Sequence, residues 1–168
     1  MREATYSEFK PGPMVFYGGL AVFGAIAGAG LLAAWYMEHY GHYVTGMTNQ
    51  IVWGIPHVFA VFLIVAASGA LNVASISTVF GRTLYKPLAR LSGLLAMALL
   101  IGGLTVLLLD LGRPDRLIIA ATYYNFKSIF AWNMFLYTGF LGLTALYFLP
   151  QMDRSLKKFQ FTAGLAGL

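Results

Sequence analysis

The feature that most constrains this chain is where its charges are missing. No Asp, Glu, Lys or Arg occurs between Lys10 and Glu38, Glu38 and Arg82, Arg90 and Asp110, or Lys127 and Asp153. Each gap is long enough for roughly 20 apolar residues, the length an α-helix needs to cross a ~30 Å hydrocarbon core. Four gaps predict four membrane-spanning helices. Only 10% of the residues are charged, where a soluble domain carries about 25%. This excludes a soluble enzyme, a disordered chain and a nucleic-acid partner, and it makes the lipid bilayer the main surrounding. The formal net charge of +5 fits basic loops facing the cytoplasm. Cys is absent, so no thiolate of this chain can hold zinc or an iron–sulfur cluster.

The expected fold class is an all-α membrane protein: four transmembrane helices plus the start of a fifth, in an antiparallel bundle with a cytoplasmic N-terminus. Residues 1–13 read as a cytoplasmic segment, and Pro13 opens the first helix, within residues 14–38, because its fixed φ and missing N–H suit a first helical turn. That helix is rich in small residues, with a GxxxG at Gly24 and Gly28, a face that lets another helix approach closely. The second helix lies within residues 51–80, where Pro56 marks either its start or a kink. The third is expected at 88–111, with Pro87 ahead of it and Gly112 and Pro114 behind. Residues 118–126 read as interfacial, and a fourth helix at 128–149 is expected to stop at Pro150. A further apolar run starts at Phe159 and spans ten residues to Leu168. As a helix it reaches about 15 Å, half of the hydrocarbon core, which suggests the front part of a longer polypeptide.

Counting basic residues by side sets the orientation. Arg2, Lys10, Arg82, Lys86, Arg90, Arg154, Lys157 and Lys158 share one side, against Arg113, Arg116 and Lys127 on the other. The richer side belongs in the cytoplasm. The outer side then receives all three histidines, together with Glu38, Trp53, Asp110 and Tyr123.

Among these, His57 and Asp110 are the candidate catalytic residues. Ionisable groups within a span face the bundle or a cavity and are functional by default. Imidazole can donate, accept and relay a proton near neutral pH. Steps of 11, 4 and 3 residues place His57, Ser68, Asn72 and Ser75 on one expected stripe. The serines and the asparagine read as helix–helix glue. Asp110, at the outer end of the third helix, ends on the same side as His57. A carboxylate next to a histidine at the membrane edge suits proton-coupled redox of a quinone, whose oxygens need a hydrogen-bond donor and whose protons need an acceptor. The structural alternative pairs Asp110 with Arg113 or Arg116. His39 and His42 stand among Tyr36, Tyr40 and Tyr43, an aromatic belt rather than the deep facing histidines of a bis-His haem site. Trp132 and Asn133 are further candidates for the same outer cavity.

Trp53-Gly54-Ile55-Pro56-His57, the following Ser68-Gly69-Ala70-Leu71-Asn72, the basic residues Arg82 to Arg90, and Asp110-Leu111-Gly112-Arg113-Pro114 together resemble the NrfD/PsrC, or polysulfide reductase, family of membrane subunits, and within it the branch of the sulfur-metabolism Dsr complex. The resemblance implies a bundle over residues 48–168, incomplete at its end, preceded by an extra helix. It implies a quinone substrate, menaquinone or ubiquinone, bound near the outer face by His57 and Asp110, with Trp53, Tyr123, Tyr124 and Trp132 lining the site. It also implies that this chain holds no haem or iron–sulfur cluster itself, and that it exchanges electrons with an iron–sulfur subunit docked outside, alongside membrane cytochrome subunits in the cell inner membrane. Two other readings of the residues stand beside it: a haem b anchor subunit, and a non-redox scaffold or transporter fragment.

Overall fold

The computed structural model describes residues 12–112 and 117–152, and every described element is helical. The expected segment at residues 1–11, the arginines at 113 and 116, and the further run from 159 lie outside the described residues. Four helices are long and apolar enough to cross a membrane, as the charge gaps require. The chain divides at Ile55–Pro56 into two compact units.

In the first unit, helix α1 runs Pro13–Tyr40, with Pro13 in its first turn. Its 28 residues make it about 42 Å long, enough to carry His39 and Tyr40 beyond the expected end at 38. It stops at Gly41, whose φ of +97° is open to glycine and whose N–H donates to the Met37 carbonyl at 2.8 Å. A single 3-10 turn, His42–Thr45, follows. The Thr45 hydroxyl donates to the His42 carbonyl at 2.7 Å. Gly54 is buried, and a side chain there would collide with Thr45 and Met47. The residues around Gly54 are therefore folded back on the turn.

The second unit holds α2, Ile55–Thr78, α3, Lys86–Leu109, the short α4, Leu117–Thr122, and α5, Ile129–Met152. Pro56 is the second residue of α2, so it starts the helix without kinking it: its missing N–H falls among the donors that have no intrahelical partner. For the same reason Pro87 sits inside the first turn of α3 rather than ahead of it. The helix ends two residues before the expected 111, capped by Asp110, whose N–H donates to the Val106 carbonyl at 3.0 Å. Pro150 does not end α5, which runs on to Met152. Within its last turn a proline forfeits one bond with only two residues still to follow.

The packing of α2 against α3 follows a period of seven. On α2 the core positions are Ala60, Ile64, Ala67, Leu71 and Ala74; on α3 they are Ala89, Gly93, Ala96, Leu100 and Gly103. Both sets are spaced by alternating fours and threes, the heptad pattern of two helices meeting along a seam. A Cβ added to Gly103 would lie 3.1 Å from the Ala60 carbonyl oxygen and 3.0 Å from Ile64 Cγ1, so the two backbones almost touch there. Further along the pair, Leu100 is buried with Ile64 and Ala67, and Ala96 with Leu71 and Ala74. Lipid tails are as apolar as leucine, so burial alone does not drive helices together in a bilayer; close van der Waals contact through small residues does. Helix α5 packs against α2 and α3 together, over the same buried positions. Its Tyr147 is buried with Leu71, Ala74 and Ala96. Its Phe148 ring lies 3.3 Å from where a Cβ on Gly93 would be.

This seam corrects the expected polar stripe. Ser75 is buried and donates to the Asn72 carbonyl at 2.8 Å, but Ser68 and Asn72 are exposed. The expected stripe advanced by 11 residues, a period near 3.67, whereas the seam advances by 3.5 per turn. Over three turns the two drift apart.

Candidate functional site

His57 is the third residue of α2, one turn before Ala60, and Asp110 lies one heptad beyond Gly103. Both therefore continue their helices' seams past the closest backbone contact. There the apolar seam ends in a polar pair: His57 Nδ1 lies 3.1 Å from Asp110 Oδ2, across 53 residues of sequence. The Asp110 side chain is 5% exposed and that of His57 25%. A carboxylate in its ionised form only accepts hydrogen bonds, and toward that form Nδ1–H is the donor. The second carboxylate oxygen, Oδ1, is buried without a hydrogen-bond partner among the described residues. A buried carboxylate oxygen without a donor is costly, and a donor supplied by a bound molecule would relieve that cost. The arrangement can hold a proton between two groups and pass it to a molecule at the membrane edge.

The other candidates are distributed differently. Tyr124 and Trp132 join Phe126 and Phe135 in an aromatic cluster at the start of α5. Trp132 Nε1–H donates to the Phe126 carbonyl at 2.9 Å, which pins the loop to the helix. Tyr123 points away from the described residues, 83% exposed, and Asn133 is also exposed. Trp53 belongs to the segment before α2 and is exposed. In the first unit, His39 stacks on Trp35 with ring centroids 5.5 Å apart. His42 Nε2 lies 3.7 Å from Glu38 Oε1, one helical turn away. No group of three or more His, Cys, Asp or Glu side chains is placed to hold a metal ion among the described residues. Among the described residues, the buried polar groups of Ser77 in α2 and of Thr144 and Tyr147 in α5 escaped sequence reasoning; Thr144 and Tyr147 lie on the same helix. The signal that could have found them is their three-residue spacing on one helix face.

Comparison with known proteins follows the same residues. The family model described as polysulphide reductase, NrfD, matches residues 43–168. The chain belongs to the NrfD family. The resemblance read from the tryptophan-to-histidine and aspartate-to-proline motifs is therefore borne out. Relatives similar to it include the Hdr-like menaquinol oxidoreductase integral membrane subunit of Archaeoglobus fulgidus, 32% identical over 123 residues, covering 73% of this chain and 31% of that protein. A putative dimethyl sulfoxide reductase membrane subunit of Halobacterium salinarum is 32% identical over 73% of this chain and 29% of its own length. A selenate reductase subunit of Mesobacillus selenatarsenatis is 26% identical over 85% of this chain and 34% of its own length. The chain thus spans about a third of the length of these NrfD relatives. No solved structure matches it significantly.

Proposed function

We propose that this NrfD-family chain is the quinone-reactive part of a membrane oxidoreductase complex, with His57 and Asp110 as its catalytic pair. The observation that carries the reading is the 3.1 Å contact between them at one end of the spans, with the second Asp110 oxygen buried and unpartnered among the described residues. A quinol becoming a quinone gives up two electrons and two protons, and the reverse reaction takes up the same. The pair supplies the proton side: the His57 imidazole accepts a proton from a quinone oxygen or returns one to it, while Asp110 holds the ring's orientation through Nδ1. Trp53, Tyr123, Tyr124 and Trp132 are the proposed lining. The electron side requires a redox partner, and the proposal assigns it to an iron–sulfur subunit on the outer face, with membrane cytochrome subunits further along the chain of transfer. The similarity to a menaquinol oxidoreductase subunit supports menaquinone over ubiquinone as the substrate. The similarity to subunits of dimethyl sulfoxide and selenate reductases supports a complex of the sulfur-metabolism type, one that uses oxidised sulfur or selenium compounds. Placement in the cell inner membrane with the N-terminus cytoplasmic rests on the basic-residue count.

The test is quinol-dependent electron transfer in the purified complex carrying His57→Ala or Asp110→Asn. Loss of a positioned proton acceptor is expected to lower turnover by about 100-fold. Turnover and quinone affinity unchanged in both variants would refute the assignment.

A further inference from the structure

The opposite end of the α2–α3 pair is built for a different ligand. The connection over residues 79–85 is short and tightly bonded: Val79 N–H donates to the Ser75 carbonyl at 2.8 Å, Arg82 N–H to Ile76 at 3.4 Å, and Tyr85 N–H to Arg82 at 3.0 Å. Gly81 makes the turn with φ +67°. The backbone is thereby held while the side chains around it stay open. Ile76, Gly81, Arg82, Leu84 and Tyr85 line a cavity of about 640 Å³.

Among the described residues that flank this cavity in sequence, the charge is of one sign. Arg82 lines it, Lys86 and Arg90 follow on the first turns of α3, and the sequence has no Asp or Glu anywhere between Glu38 and Asp110. A guanidinium presents a planar fork of N–H donors that matches phosphate oxygens two at a time. Tyr85 adds a hydroxyl donor and the amphipathic ring typical of the headgroup layer. The rest of the lining is apolar. Leu84 is 84% exposed, beside the ends of two helices long and apolar enough to cross a membrane, the level at which acyl chains begin. A soluble anion would use the arginine and leave Ile76 and Leu84 against water; a phospholipid uses both.

We infer that the α2–α3 connection binds the headgroup of an anionic phospholipid, with Arg82 and Tyr85 holding the phosphate and Ile76 and Leu84 receiving the start of an acyl chain. This site is independent of the quinone reading and lies at the other end of the same helices.

The probe is dioleoyl phosphatidylglycerol, with dioleoyl phosphatidylcholine and inorganic phosphate as the alternative arms. Retention of each lipid on the purified full-length protein is measured by native mass spectrometry for the parent, Arg82→Gln, Tyr85→Phe, and Lys127→Gln as a basic-residue control remote in sequence. Arg82→Gln is expected to lower phosphatidylglycerol retention about tenfold, the usual consequence of losing a charge-assisted bidentate contact. Tyr85→Phe should lower it less, and Lys127→Gln should leave it as in the parent. Phosphatidylcholine should be retained poorly throughout, and inorganic phosphate should not displace the bound lipid. Parent-level retention in Arg82→Gln, equal retention of the two lipids, or displacement by phosphate alone would each overturn the inference.

Discussion

The two ends of the α2–α3 pair share one seam and one register, yet they are opposites. At one end the seam finishes in His57 and Asp110, an acid and a base in contact, with the carboxylate 5% exposed. At the other it opens into the Arg82 connection, with basic residues, no acidic residue nearby in sequence, and a cavity of about 640 Å³. The difference lies in what each end can do without water. A buried acid–base pair compensates its own charges and can hold a proton internally. A basic side chain at the end of a span stays near the surface, where it meets anionic headgroups. The small residues between the ends keep both arrangements on one rigid pair of helices.

The comparison can be broken hardest at the acid–base end. His57→Ala and Asp110→Asn should each lower quinol turnover about 100-fold, and the double variant should be little worse than either single one, because the two act as a unit. Additive losses in steady-state kinetics would separate them. Next in size is Gly103→Leu. Its Cβ would sit 3.0–3.1 Å from Ile64 and the Ala60 carbonyl, so the helices must part, at a cost of about 1–3 kcal/mol. Thermal unfolding in detergent should register a lower midpoint, together with reduced turnover as His57 and Asp110 separate. Trp132→Phe keeps the ring but loses the bond to the Phe126 carbonyl, about 1 kcal/mol by the same measurement. Thr144→Val removes a buried hydroxyl that has no partner among the described residues; stability should stay level or rise by up to about 1 kcal/mol. The smallest effect is expected of Arg82→Gln on quinol turnover, within about twofold of the parent, which would keep the two ends functionally distinct.

Much of this was legible in the order of residues. The charge-free gaps marked all four spans, because a membrane penalises every charge within its core. Counting turns between Pro56 and Pro114 brought His57 and Asp110 to the same side. What the sequence hid was the direct contact between them and the seam that produces it. Helices α2 and α3 are apolar on all faces, so polarity does not reveal which face packs. Size decides instead: the small residues Ala60, Ala67 and Ala74 are buried and Gly103 approaches the Ala60 carbonyl, while Phe59, Phe62 and Val65 remain exposed. A stripe traced through serines and an asparagine followed polarity and so missed the packed face at Ser68 and Asn72. Asp110 was equally readable as a partner for nearby arginines; only the fold shows it against His57.

An alanine every seventh residue has a mechanical meaning beyond close approach. A repeat of 3.5 residues per turn falls just short of the natural 3.6, and two helices that keep such a repeat in register coil around each other with a left hand. Coiled helices of this kind do not splay from one end as straight rods can.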